Sequence, residues 1–411
     1  MTYKRKLFLR KDIYNPRAAD DVFLGAMKEN ISFHMGNCQE YKEILDYLEF
    51  DAESLRSIDD LAKIPPLPAS YLKNHTLLSV PYEKLAVRTA TSGTDGRTAP
   101  GGVDYESAMY GLIMAFRIFR RHKLISLRPA NYIILGKKPE KPEKPVKPEK
   151  PVKQIKPAGR ETPDLTEKPE AHTKPELTET PENMRRAGHT GHAGHAGWAA
   201  ADLALAVAML AAPAKRVAYA VADGDGEQRV DIGGIADALL AFAKEDRPVR
   251  IIGLSEIFKT LISELIKRNE TLSLRHDSKV ILSGGRDPRI SGEAPKEGLF
   301  LLANRVLGVR HRNYKDYFGA AGHPIIYFSC VNHRFHVPVY SRAIIRDVNT
   351  LEPAPDGAPG LLNLITPLLS SESYGSVLTG DIAVMAGEGA CGCGAASPYF
   401  TVVGRAGYGR Q

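Results

Sequence analysis

The sequence predicts an α/β fold, a mostly parallel sheet with helices followed by a β-rich region. Two observations carry this. Between Gly197 and Gly285 helical and strand patterns alternate: "GWAAADLALAVAMLAA", "KRVAYAVAD", "IGGIADALLAFAKED", "PVRIIGLS", "SEIFKTLISELIKRN", "SKVILSGG". Such alternation is the signature of a mostly parallel sheet. After Tyr327 the pattern changes to short strand-like runs, "RFHVPVYSRAIIRDV", "GLLNLITPL", "GDIAVMA" and "YFTVVGRAG", which predict a mainly antiparallel region.

Taken in order, residues from about Tyr14 to Leu61 read as mostly helical, because "DDVFLGAMKENISFHM" and "CQEYKEILDYLEF" place apolar residues at helical spacing. "SIDDLAKIPPLPASYLKNH" is broken by proline. "KLAVRTATSGTDG" reads as a strand entering a glycine loop, "YESAMYGLIMAFRIFRRH" as a helix with an apolar face, and "PANYIILG" as a buried strand. Then the composition shifts to a Pro, Lys, Glu and Thr mixture that begins "KKPEKPEKPVKPEKPVK". Proline at every third position forbids helix, and so polar a segment cannot bury enough apolar surface to offset its entropy cost. It reads as a solvated, polyproline-like linker. The run "GHTGHAGHAGW" follows, with His189, His192 and His195 at spacing three. On a helix they would share a face that binds metal; the interleaved glycines favour a flexible hinge. The expected organisation is 1–136 as the first part of a core, 137–195 as a disordered insertion, 196–326 as the second α/β part, and 327–411 as the β-rich part.

The 411 residues allow two or three domains or subdomains, and 43% apolar with 25% charged residues is globular composition. No run approaches ~20 apolar residues, so no membrane span is expected. The basic N-terminus lacks an apolar signal core. Four cysteines are too few for a disulfide scaffold and fit a reducing compartment, so the expected location is the cytoplasm. The charge of +7 mildly favours anionic partners, but the lysine repeat supplies much of it. No base-stacking or zinc-finger pattern argues for nucleic acid.

Five short stretches could build a nucleotide site. In "TATSGTDG" the glycines Gly93 and Gly96 allow close backbone approach to a phosphate, and Thr91, Ser92 and Thr94 add hydroxyl donors. No Gly-Lys-Ser/Thr follows, so it is not a Walker loop. "VILSGGRD" ends a buried strand in Gly284 and Gly285, at the sheet edge where α/β folds bind ligands. "DYFGAAG" offers an aromatic pair that could face a purine. In "TGDIAV", Asp381 follows a glycine turn, opens a strand and could accept ribose hydroxyls. In "VVGRAG", Arg405 could meet ribose or phosphate oxygens. The cysteines make a sixth group. Cys330, His333 and His336 lie close in sequence, and Cys391-Gly-Cys393 sits on a later turn; Cys330, His336, Cys391 and Cys393 form a plausible four-ligand Zn²⁺ set.

The order of these stretches resembles the adenylate-forming superfamily. From Phe318 onward, "FGAAGHPIIYFSCVNHRFHVPVYSRAIIRDVNTLEPAPDGAPGLLNLITP", then "TGDIAV", "CGCG" and "YFTVVGRAG", is similar to the LuxE-type acyl-protein synthetases, with phenylacetate–CoA ligases as cousins. The resemblance implies the large-domain fold of that superfamily and a two-step reaction. A carboxylate, expected to be fatty or otherwise apolar, attacks the α-phosphate of ATP to give acyl-AMP and pyrophosphate. A thiol then takes the acyl group. By position, Thr91 to Gly96 would hold the β- and γ-phosphates and Gly284 and Gly285 would border adenine. Phe318 and Gly319 would pack on it, Asp381 would bind the ribose hydroxyls, and Arg405 would reach the ribose or α-phosphate.

The departures are specific. Where the superfamily loop carries a lysine, Arg97, Thr98 and Ala99 follow here, leaving Arg97 as the only cation. Where the superfamily offers a glutamate to Mg²⁺, Gly322 stands, and water or Asp316 would have to substitute. The sequence ends just past Gly-Arg, so the mobile C-terminal domain of CoA ligases is expected to be absent. The acceptor is Cys391, Cys393, or a thiol on another molecule such as a protein cysteine, a carrier protein or CoA. Zinc ligation and acyl acceptance compete for the same sulfurs. The alternatives are an acyl-CoA or carrier-protein ligase, and a non-catalytic nucleotide-binding partner of an acyl reductase.

Overall fold

The computed structural model describes residues 1–92, 98–137, 212–224, 227–283 and 296–406. The predicted insertion beyond Lys137, its histidine run, the helix expected from Gly197, and Gly93, Thr94, Gly96, Arg97, Gly284 and Gly285 all lie outside the described residues.

The chain opens with helices α1 (Tyr3–Phe8), α2 (Asp20–Asn37) and α3 (Gln39–Tyr47). α2 buries Phe23, Met27, Ile31 and His34 at helical spacing, against α1 and the β-rich region. A two-residue strand β1 (Leu67–Pro68) and helix α4 (Ala69–Asn74) follow the proline-broken stretch. Then come β2 (Leu85–Ser92), β3 (Thr98–Asp104) and α5 (Tyr105–Arg121). Here the expectation of strand, glycine loop and helix is corrected. β3 pairs back on β2 from Leu85↔Asp104 to Ser92↔Thr98, so a strand stands between the glycine stretch and α5. The alternating Thr and Val of β2 suit a strand. The helix starts instead at Asp104, whose carboxylate accepts from Ser107 N at 3.0 Å.

β4 (Ala130–Lys137) is buried along most of its length, as a central parallel strand must be. β5 (Ala214–Gly224), β6 (Glu227–Val230), α6 (Ile232–Ala243), β7 (Val249–Leu254), α7 (Ser255–Lys267), β8 (Lys279–Ser283), α8 (Lys296–Leu307), β9 (Tyr314–Ala320) and β10 (His323–Phe328) complete the first sheet. Its order is β10-β9-β8-β7-β4-β5-β6, parallel except at the two edges. So the segments before and after the insertion share one sheet. On one face α6, α7 and α8 bury Leu239, Phe258, Leu261 and Phe300 against Ile133, Ile251 and Val280. On the other, Tyr132, Ile134 and Ile281 join the larger core of α5 and the N-terminal helices.

β11 (Phe335–His336), β12 (Arg342–Arg346), β13 (Gly360–Ile365), β14 (Ser376–Ala386) and β15 (Tyr399–Arg405) form a second, antiparallel sheet in the order β11-β15-β14-β13-β12, with β1 added to β14 in parallel. The β-rich expectation holds for residues 335–405. Asp381 is a correction: it stands inside the eleven-residue β14 and does not open a strand. Among the described residues no helix is long and apolar enough to cross a membrane.

Candidate functional site

The carboxyl end of β9 meets the second sheet. β9 carries Phe318 and Gly319 there. The Phe318 ring packs edge-on against Phe400 of β15, with centroids 5.4 Å apart, and also against Phe335 and Tyr327. It is therefore part of an aromatic cluster that joins the two sheets and only partly a free platform for a purine. Gly319 is exposed, and a Cβ built on it would meet nothing within 4 Å.

On the second sheet, β14 and β15 place Asp381 opposite Arg405 in register. Asp381 Oδ1 and Arg405 Nε are 4.0 Å apart, and Arg405 is half-exposed. Burial pushes the Asp381 carboxyl above the usual carboxylate range, and Arg405 draws it part of the way back. The Asp381 amide donates to Thr379 Oγ1 at 3.2 Å. A carboxylate with free lone pairs beside a guanidinium is a fitting pair for vicinal hydroxyls and a phosphate.

The β2–β3 hairpin is anchored at its base. Gly102 N donates to Glu372 Oε1 at 3.0 Å, and burial raises the Glu372 carboxyl to about 7. Nothing in the sequence singled out Glu372, a lone acid in the small-residue run "SSESYGS" whose partner is 270 residues away. Thr91 and Ser92 end β2 at the start of the loop.

Gly322 closes the question of the missing glutamate. Its φ is +77°, and a Cβ there would sit 2.7 Å from Leu72 Cδ1 of α4 and 3.7 Å from Val377 Cγ2. The position offers Mg²⁺ no side-chain ligand, and a side chain added there would have to displace the Leu72 methyl. Asp316 does not replace it. It is nearly buried three residues further from the ligand edge, with Oδ2 3.7 Å from His333 Nδ1. The residues present do not fit the magnesium site that the resemblance implies.

The cysteine group does assemble. The ligand atoms of Cys330, His336, Cys391 and Cys393 lie within 4.8 Å of one another. Cys330 Sγ and Cys391 Sγ are 3.5 Å apart, far beyond a disulfide bond, and Cys393 Sγ is 3.2 Å from His336 Nε2. Zinc–sulfur bonds of ~2.3 Å in a tetrahedron put sulfurs roughly 3.8 Å apart, so the spacing suits that ion. The surroundings suit it too. His336 Nδ1 donates to the Ser397 carbonyl at 2.9 Å, which fixes the proton there and leaves the Nε2 lone pair turned to the cluster. Burial holds the His336 imidazole below its ordinary value, hence neutral. Asn332 N donates to Cys330 Sγ at 3.3 Å, and Asn332 Nδ2 to the Cys391 carbonyl at 2.7 Å. Gly392 and Gly394, at φ +70° and +85°, make the tight turn that brings both thiols inward. His333, the other candidate, turns away to His311 and Asp316. The cluster ties the end of β10 to the β11/β15 edge of the second sheet.

Comparison with known proteins agrees with this architecture. Residues 219–411 match the family model described as acyl-protein synthetase, LuxE. No curated protein matches the chain. Among solved structures, an open conformation of 2-hydroxyisobutyryl-CoA ligase in complex with 2-HIB-AMP and CoA is similar at a TM-score of 0.60 and 14% identity, over 96% of this chain and 77% of that one. The same ligase with the same ligands in its thioesterification state gives 0.62 and 14%, over 96% of this chain and 70% of that one. At these identities the likeness shows the fold alone, which this chain shares with that ligase.

Proposed function

We propose that this chain, whose residues 219–411 match the family model described as acyl-protein synthetase, LuxE, joins a carboxylic acid to ATP as acyl-AMP and passes the acyl group to a thiol. The observation that carries the reading is the Asp381–Arg405 pair, set opposite one another by the register of β14 and β15. Asp381 would accept the ribose hydroxyls. Arg405 would meet the ribose or α-phosphate and neutralise charge as the acid's oxygen attacks phosphorus and pyrophosphate leaves. The loop begun by Thr91 and Ser92, with Gly93, Thr94 and Gly96, would hold the β- and γ-phosphates; Gly284, Gly285, Phe318 and Gly319 would border adenine. Such a transfer needs no side-chain nucleophile; positioning and charge supply the catalysis.

Zn²⁺ would be held by Cys330, His336, Cys391 and Cys393 as a structural ion, with no open position for chemistry. This bears on the acceptor. Three of the four cysteines belong to that cluster, and Cys38 is buried under the N-terminal helices. The acceptor thiol is then on another molecule: CoA, a carrier protein, or a cysteine of a partner such as an acyl reductase. The substrate we favour is a fatty or other apolar acid.

The test is ATP–pyrophosphate exchange across a panel of carboxylic acids, with and without Mg²⁺. Exchange with any acid supports adenylation and names the substrate class. A folded protein that binds ATP but gives no exchange supports a second reading, a non-catalytic nucleotide-binding partner of an acyl reductase. The closed Gly322 position favours that second reading.

A further inference from the structure

At the other end of the first sheet, where its parallel strands begin, lies a pocket of about 500 Å³. It is reached from the carboxyl end of α5, the turn before β8 and the turn before β9. Five cationic side chains line it: Arg121, Lys123, Lys279, Arg312 and Lys315. Asp277 is the one carboxylate in the wall, and its Oδ1 is 2.9 Å from Arg275 Nε outside the lining. Among the described residues none of the five cations forms an ion pair. Lys315 Nζ donates only to the Ser329 carbonyl, at 3.2 Å, and the Arg121 guanidinium lies 5.9 Å from the Tyr14 ring.

The arrangement is layered. Arg121, Lys123 and Arg312 are exposed at the rim, Lys279 is partly buried, and Lys315 is buried at the floor. Burial first, and then the neighbouring Arg250 and Lys315, push the Lys279 ammonium down to about 8, while Asp277 draws it part of the way back. The carboxyl end of α5 attracts cations, which accounts for Arg121 but not for those on the two β turns. Cys330, His336 and Cys393 close one side. A zinc ion with three thiolates and one imidazole carries a formal charge of −1. Together with Asp277 it would offset two of five positive charges and leave a surplus of three. The pocket's volume suits a nucleotide-sized ligand. Lys279 begins β8 and Ser283 ends it, about 13 Å away, so this site and the proposed adenylation site sit at opposite edges of the sheet.

We propose that this pocket binds a multiply phosphorylated small molecule, at a site separate from the one where adenylation would occur. Two sources share that chemistry: a nucleoside polyphosphate, and the bisphosphorylated adenosine end of a CoA-type thiol.

The test is calorimetric titration of the full-length protein, at low salt, with ADP, with adenosine 3′,5′-bisphosphate and with pyrophosphate. Arg312→Glu and Lys123→Glu are the variants, both at the exposed rim, with thermal melting to show that each is folded. The expected result is binding of at least one compound that weakens tenfold or more in each variant and also weakens with added salt. Tighter binding of the bisphosphate than of ADP assigns the site to a CoA-type thiol; the reverse order assigns it to a nucleotide. Binding unchanged in both folded variants, or no binding of any of the three at millimolar concentration, overturns the proposal. Asp381→Asn separates the two sites. Loss of exchange with retained binding here leaves this inference standing by itself.

Discussion

Asp381 and Arg405 face each other on neighbouring antiparallel strands, with Oδ1 and Nε 4.0 Å apart, although 24 residues separate them along the chain. The pair is too open and too exposed to matter much for stability. In the proposed function it would hold two parts of one nucleotide.

Asp381→Asn and Arg405→Ala should therefore fold normally and each lower ATP–pyrophosphate exchange by roughly 10²-fold. Only ionised Asp381 accepts two hydroxyls. Because burial raises its titration, wild-type ATP affinity should improve as pH climbs through a range above that of ordinary aspartate, and the Asn variant should lose that dependence. Exchange rates and ATP KM measured from pH 4 to 8 check both statements.

One zinc per chain is expected in purified protein by elemental analysis. Cys391→Ser or His336→Ala should abolish it and lower the melting temperature, since the cluster joins the end of β10 to the edge of the second sheet. Stoichiometric zinc that survives in both variants would refute the ligand set.

Glu372 sets a pH dependence of stability. Its carboxyl titrates at about 7 in the folded protein against an ordinary 4.5, so the folded chain holds this proton more tightly than the unfolded chain does. The contribution from this group is full below about 4.5, falls between 4.5 and 7, and stays low above; the loss amounts to roughly 3 kcal/mol. Glu372→Gln keeps an acceptor for Gly102 N and removes the titration. The variant should melt several degrees above wild type at pH 8 and near it at pH 5.

Gly322→Ala should destabilise the protein by about 2 kcal/mol, from left-handed backbone and a Cβ pressed on Leu72. Gly322→Glu should cost more and confer no new Mg²⁺ dependence on exchange. Denaturant unfolding and exchange at varied Mg²⁺ test these.

Much of this molecule was written in local pattern. The alternation from β5 to β8, the capped and amphipathic helices, and the β-rich tail all follow from periodicity and turn residues that act within a few positions. The Cys/His quartet was legible too, because Cys391-Gly-Cys393 offers two thiols on one turn and a metal site needs few other partners.

What only the tertiary structure decided was which distant residues share a space. The sequence showed Gly322 where a glutamate was expected, but not that Leu72, 250 residues earlier, fills the vacancy. It showed a glycine loop, but not that β3 folds back on β2 or that Glu372 holds the hairpin's base. It scattered Arg121, Lys279 and Arg312 among ordinary surface charges, and only the packing of a helix end on two strand beginnings made them one pocket. Periodicity determines which side of an element is apolar. Which elements then meet depends on packing summed over the whole chain, and that leaves no trace in any single stretch of sequence.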